Sequence, residues 1–307
     1  MSMQPLCPRL ICLGLSALDI SWQVDHLPKG GGKTRATGLH EGGGGMAANA
    51  AVAAARLGAN VSFWGRAGQD SAGQAMLAQL AGQGVDIGHF RLFEGARSSV
   101  SGIVVDAAGE RMIVNFRGAD LPTDPAWLPL AEVADANAVL ADPRWPEGAL
   151  ALFKAARAQG VPTVLDADVA DAAVFDLLLP WVDEAVFSQP GLAGYAVGQS
   201  QVEDRLQFAL DKGCKRAAVT LGEHGIVWAD ASGTHRLPAF QVQVVDTTGA
   251  GDVFHGALAF ALGSRWDVRR AFQFSCAVAA IKCTRPGGRE GVPDFATAML
   301  MVQSLKE

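Results

Sequence analysis

Between residues 138 and 220 the chain repeats one rhythm, and that rhythm restricts the fold more than any other feature. Short apolar runs at 138–141, 163–165, 184–187 and 216–220 alternate with helical stretches at 148–158, 170–179 and 202–212. Strands separated by a helix of this length pair in parallel, because the crossover must return along a face of the sheet. A parallel sheet is then covered by helices on both sides, which suits strands apolar on both faces. The same alternation opens the chain. A strand is expected over 10–18, a helix over 46–57 ended by Gly58, a strand over 61–64, and a helix over 71–80 closed by Gly82 and Gly84. A last strand is expected at 242–245, with helices at 250–262, 267–283 and 294–305.

One stretch breaks the pattern. Residues 99–105 and 111–116 are rich in β-branched side chains and are joined by Asp106-Ala107-Ala108-Gly109-Glu110, a hairpin with a glycine turn. A hairpin inside an alternating chain predicts a small accessory sheet. The expected architecture is a three-layer α/β/α domain over 1–307 with a mostly parallel central sheet. The hairpin would form a small β lid.

Composition excludes several functions. Half of the 307 residues are hydrophobic and 18% are charged, so a full core is available and disorder is not expected. The net charge of −6, with no run of Lys or Arg, argues against a nucleic-acid partner. No apolar run is long and charge-free enough to predict a membrane span, and residues 10–18 read as a buried strand rather than a leader. The five cysteines form no C-x-x-C pair, which fits reduced thiols in a cytoplasmic protein better than zinc or disulfides.

The chemistry concentrates in Asp246-Thr247-Thr248-Gly249-Ala250-Gly251-Asp252, ahead of the helix over 250–262. A glycine turn feeding a helix start exposes backbone N–H groups at the positive end of the helix dipole, a ready site for phosphate. Asp252, in the first turn, would stand beside that phosphate and could take the proton of an attacking hydroxyl. A plain helix cap needs only one Asp, Ser or Thr and not this whole arrangement. Two other phosphate motifs fail. Gly30-Gly31-Gly32-Lys33-Thr34 lacks the leading glycine of a P-loop, since Leu27 stands there, and no G-x-G-x-x-G follows the first strand.

These residues resemble the PfkB (ribokinase-like) carbohydrate kinases along essentially the whole chain. The 246–252 segment is similar to the family's C-terminal signature. Gly42-Gly43-Gly44-Gly45-Met46-Ala47-Ala48-Asn49 is similar to its N-terminal G-G-x-x-x-N element, and Val219-Thr220-Leu221-Gly222-Glu223-His224-Gly225 to its nucleotide-side turn. The resemblance implies ATP and Mg²⁺, Asp252 as base, and an anion hole from Gly249, Ala250, Gly251 and Asp252. It implies sugar contacts from Asp19, Gly43, Gly44, Gly45 and Asn49, and nucleotide contacts from Thr220, Gly222, Gly225, Gly249 and Gly251. Asp246, Thr248 and Gly288 resemble the loops that hold K⁺ in relatives needing that ion. A lid formed by about 20–41 and 98–118, and a homodimer through it, are implied as well. The family's N-x-x-E motif, which organises magnesium, is replaced here by Ser188-Gln189-Pro190-Gly191.

Within the family the chain looks most like the sulfofructose kinase and ketohexokinase-like branch. Lys33, Asn115 and Arg144 fall where that branch holds its acidic sugar, and a Lys charge with an Arg fork suits a sulfonate. Lys33 could equally be a solvated charge, and Arg144 an ion-pair partner of Asp142 or Asp168. Thr37-Gly38 replaces the Arg-Asn pair found after the Lys in sulfofructose kinases, which leaves a neutral ketohexose open. Trp22 and Phe116 are expected to line the sugar cavity, and His255 to support Asp252 from one turn beyond. A nucleoside kinase and a non-catalytic sugar or nucleotide sensor of the same fold remain alternatives.

Overall fold

The computed structural model describes residues 7–304. Its strands are β1 (Arg9–Gly14), β2 (Ala17–Gln23), β3 (Gly38–Gly44), β4 (Asn60–Gly68), β5 (Phe90–Phe93), β6 (Val100–Val105), β7 (Arg111–Phe116), β8 (Ala138–Ala141), β9 (Thr163–Ala167), β10 (Glu184–Ser188), β11 (Arg216–Thr220), β12 (Ile226–Asp230) and β13 (Gly233–Leu237). The helices are α1 (Met46–Arg56), α2 (Ser71–Gly82), α3 (Pro146–Gln159), α4 (Ala172–Leu178), α5 (Gln189–Tyr195), α6 (Val202–Leu210), α7 (Ala250–Gly263), α8 (Val268–Cys283) and α9 (Phe295–Ser304). Residue 305 of the helix expected over 294–305 lies outside the described residues.

The large sheet runs β13-β12-β11-β10-β9-β8-β1-β4-β5, parallel except for the β11–β12 and β12–β13 pairs. Successive side chains of a strand point to opposite faces, and the two cores follow that rule. Leu10, Cys12, Leu140 and Val186 pack with α1, α2, α7, α8 and α9. Ile11, Leu13, Val139 and Phe187 pack with α3 to α6. The three-layer expectation therefore holds. Ala47, Ala48, Ala50, Ala51, Ala53 and Ala54 of α1 are fully buried, and α7 lies so close that a Cβ on Gly256 would come within 2.2 Å of the Ala50 carbonyl oxygen. Small residues at that contact let the two backbones approach.

A second sheet, β3-β2-β6-β7, stands apart from the first. It gathers the early glycine-rich segment and the hairpin, as expected. The single strand expected over 10–18 is in fact two. The chain leaves the large sheet at Gly14, whose φ is +147°, and enters the small sheet at Ala17, so Asp19 lies within β2 rather than beyond a strand end. Residues 242–245 form no strand. Val244 and Val245 are exposed, and Val245 N–H instead donates to the Cys283 carbonyl. The edge hairpin β12–β13 occupies that side of the sheet and was not expected. Among the described residues no helix is long and apolar enough to cross a membrane.

Candidate active site

The order of the large sheet turns at β1, from which the chain builds outward to β4 and β5 on one side and to β8 and beyond on the other. In open α/β sheets such a reversal leaves a crevice beyond the carboxyl ends of the strands. The buried Asp142, just past β8, ties the loops there together. Its carboxylate accepts the Leu15 N–H at 2.7 Å, the Ala47 N–H at 3.1 Å and the Arg144 N–H at 2.9 Å. Burial raises its pKa, and these amides oppose the rise. The start of α1 is thereby fixed over the crevice.

Asn49 on α1 then faces Asp252 on α7, where its amide donates to the Asp252 carboxylate at 2.7 Å. Gly249, at φ +70°, turns the chain into α7, a left-handed conformation that suits glycine. The N–H groups of Gly249, Gly251 and Asp252 have no partner among the described residues and face the phosphate position expected at a helix start. Ala250 differs from expectation. Its N–H donates to the Thr247 carbonyl at 3.2 Å, which leaves the other three amides for the anion expected there. Burial pushes the Asp252 carboxyl up from 3.8 to about 7, helped by the nearby Asp166 and opposed by the Asn49 amide. Beneath it, His255 has Nδ1 2.7 Å from the Gly251 carbonyl oxygen and Nε2 3.0 Å from that of Val186. These contacts pack His255 under the first turn of α7.

The sugar-side residues converge across the small sheet. Strand register places Asp19, Ser101 and Asn115 in one row, so their side chains share a face. The Asn115 amide donates to the Ser101 hydroxyl at 3.1 Å, and Ser101 in turn bonds the Asp19 carboxylate. Burial raises the pKa of Asp19, while Ser101 and Arg289 pull it back. The glycine run is explained by what packs over it. A Cβ on Gly44 would come within 2.2 Å of the Asp19 carboxylate, and one on Gly43 within 1.8 Å of the Arg289 guanidinium. Arg289 donates to the Asn49 side-chain oxygen at 2.8 Å and to the Gly44 carbonyl at 3.0 Å, and burial draws it down to about 10. It thus links the Asp19 row to Asn49 and Asp252, yet sequence reasoning assigned it no role. Trp22 and Phe116 are corrected. Alternation along β2 and β7 puts them on the face opposite Asp19, where they are exposed.

On the nucleotide side, Thr220 ends β11 beside Ser188 of β10. Gly222 and Gly225 follow at φ +56° and +84° in the turn to β12. The Asp246 carboxylate accepts the Thr248 N–H at 2.9 Å, the Thr248 hydroxyl at 2.7 Å, Arg111 at 2.7 Å and the Gly287 N–H at 3.0 Å. Burial alone would raise its pKa, but Thr248, Lys282 and Arg111 hold it well below the usual range. Gly288 packs against Thr248. Arg111, from β7, also bonds the Thr248 hydroxyl and so anchors the small sheet on the phosphate turn. No sequence motif announced Arg111 or Lys282.

No hydrogen bond or ion pair among the described residues joins Lys33, Asn115 and Arg144 to one another. Asn115 joins the Asp19 row, but Lys33 is exposed with no bonded partner among the described residues. Arg144 donates to the Val169 carbonyl at 2.8 Å and to Asp168 at 3.3 Å, which is the ion-pair reading. Where N-x-x-E is missing, the Ser188 hydroxyl donates to Asp168 at 2.8 Å. The neighbouring Asp166 keeps a buried carboxyl oxygen without a hydrogen-bond partner, and burial with repulsion from Asp142 and Asp168 raises its pKa strongly. No group of three or more His, Cys, Asp or Glu side chains among the described residues is set to cage a metal. This donor set suits Mg²⁺, which keeps most of its ligands as water and phosphate oxygens.

Comparison with known proteins agrees with this geometry. The model of the pfkB family of carbohydrate kinases matches residues 8–294. A ribokinase of Bacillus subtilis is 30% identical over 289 residues, covering 93% of this chain and 96% of that protein. A solved Agrobacterium tumefaciens structure, described as a candidate ribokinase, superposes with a TM-score of 0.92 at 36% identity, covering 98% and 99% of the two chains. The ribokinase of Thermotoga maritima superposes with a TM-score of 0.85 at 25% identity, covering 97% and 100%.

Proposed function

Because the chain belongs to the pfkB family of carbohydrate kinases, we propose that it transfers the γ-phosphoryl group of ATP to a hydroxymethyl group of a neutral sugar. The class itself is that of the family, a phosphotransferase with an alcohol acceptor. The observation that carries the finer reading is the Asp252–Asn49–Arg289 chain, which joins a carboxylate at a phosphate-binding helix start to the polar row of the small sheet.

In this reading the sugar lies between that row and α7. Asp19, Ser101 and Asn115 hold its hydroxyls, and Asp252 accepts the proton of the attacking one. A base with a pKa of about 7 is matched to work near neutral pH. The Gly249, Gly251 and Asp252 amides stabilise charge on the transferring phosphoryl, and Thr220, Gly222 and Gly225 border the nucleotide. Mg²⁺, when bound, neutralises phosphate charge; Asp166 and Asp168 are the carboxylates that would meet its waters.

A neutral acceptor is favoured over a sulfonated one. Arg289 is already bonded, Arg144 is paired with Asp168, and Lys33 joins neither. The ribokinases among the relatives make ribose the first sugar to test, with fructose, sulfofructose and nucleosides beside it. An assay coupling ADP release to each acceptor decides. Turnover only with sulfofructose, or only with nucleosides, would overturn the neutral-sugar reading. A protein that binds sugar yet releases no ADP would be a sensor.

The small sheet serves as lid and dimer contact in this proposal. Its face away from Asp19 carries Trp22, Leu39, Met112, Val114 and Phe116, each at least 36% exposed. A contiguous apolar face of this kind marks an interaction surface.

A further inference from the structure

Lys282 is the last-turn lysine of α8, and its side chain is fully shielded from solvent. Buried ammonium groups are rare and need partners. Lys282 Nζ donates to the Asp246 carbonyl at 2.7 Å and lies 3.9 Å from the Asp246 carboxylate. It therefore holds Asp246, which opens the 246–252 turn and is one of the three residues that resemble the K⁺ loops of relatives.

Asp246, the first of the three residues expected to hold K⁺, is poorly placed to do so on this geometry. Potassium requires oxygens free to replace its hydration shell. Both Asp246 carboxylate oxygens already accept bonds from Thr248, Arg111 and Gly287, and its carbonyl accepts Lys282. Two side-chain cations, Lys282 and Arg111, also stand where a third positive charge would be repelled. Burial and Arg111 lower the Lys282 pKa, and Asp246 opposes them, so the carboxylate and the ammonium support one another.

We propose that Lys282 is the tethered cation of this turn, a positioning residue that takes the place of potassium, so that this kinase works without alkali metal. The proposal rests on the kinase reading above for its rate effects, but not for its effect on stability.

The test compares wild type with Lys282→Met and Lys282→Ala in potassium chloride and in tetramethylammonium chloride at equal ionic strength. Melting temperature and sugar-kinase turnover are both read. Wild type should show the same melting temperature in either salt and a turnover changed by less than about twofold, since Lys282 and Arg111 already place positive charge at Asp246. The variants should lose about 10²-fold in turnover through a displaced phosphate turn, with little change in sugar KM. Lys282→Ala, which opens the space, should regain turnover and melting temperature with K⁺ or ammonium. Should Lys282→Met fail to fold, Lys282→Ala in ammonium chloride and the wild-type salt comparison still decide. A wild type that needs K⁺ for turnover, or that melts higher in it, overturns the proposal. So does a variant with unchanged turnover and melting in tetramethylammonium. If no sugar is phosphorylated by wild type, the kinase reading has failed, and the melting comparison alone judges Lys282.

Discussion

Replacing Asp252 by Asn should make the protein more stable and nearly inactive, with both effects traceable to one buried carboxyl. The folded pKa of about 7 lies above the ordinary 3.8 of the unfolded chain. Below 3.8 the group is protonated in both states and costs nothing. As pH rises, the unfolded chain loses this proton first, and stability falls until the folded group also ionises near pH 7. The gap between 3.8 and about 7, at about 1.4 kcal/mol per pH unit, amounts to about 4 kcal/mol of destabilisation at pH 8. The amide put in its place carries no such charge, and its oxygen can still accept the Asn49 bond. Melting of the variant at pH 8 should therefore exceed wild type by several degrees, at about 2 °C per kcal/mol for a chain of this size. At pH 5 the advantage should shrink to about a third, because less of the gap has been crossed. Turnover in the ADP-coupled assay should fall by about 10²–10⁴-fold through loss of the base. Equal melting temperatures at pH 8, or an advantage larger at pH 5, would refute the argument that burial strains this carboxylate. Undiminished turnover would remove Asp252 as base.

Three further outcomes follow from the same contacts. The acid limb of kcat/KM should lie near pH 7, with rate rising as Asp252 ionises, and Asn49→Ala should move it up by about one pH unit because a donor to the carboxylate is lost; an unmoved limb would assign the titration to another group. Asp19→Asn should raise sugar KM by about tenfold or more while leaving ATP KM nearly unchanged, since it weakens a charged hydrogen bond on the sugar row only; a change confined to ATP would place Asp19 elsewhere. Val114→Asp, on the apolar face of the small sheet and 71% exposed, should convert a dimer into monomers in light-scattering measurements. A wild type that is already monomeric excludes the lid contact.

The layered fold was legible because short apolar runs separated by helices can pair in only one economical way. Local propensity failed where a segment's role depends on its neighbours. Residues 242–245 read as a strand from their valines, yet two of those side chains are exposed and no strand pairs with them. The edge strand β13, Gly-Thr-His-Arg-Leu, escaped notice because its outward residues are polar. Gly14 hid the passage between the two sheets, since an apolar run gives no sign that it changes partners halfway.

For the site, the glycine turn and the carboxylate at the start of α7 were legible in the sequence, because glycines at a helix start and an acid in the first turn are consequences of short-range geometry. Asp19 and Asn49 were picked out only by the family resemblance, and Asp19 lies within β2 rather than past a strand end. Tertiary structure decided what those groups meet. Residues far apart in the chain supply Arg289 to Asn49, Ser101 to Asp19, and Lys282 with Arg111 to Asp246. It also turned Trp22 and Phe116 to the face opposite Asp19 and left Lys33 exposed. Burial and charge partners, which set the acidity of the base and the cation at the turn, depend on packing across the whole domain, and no local pattern encodes them.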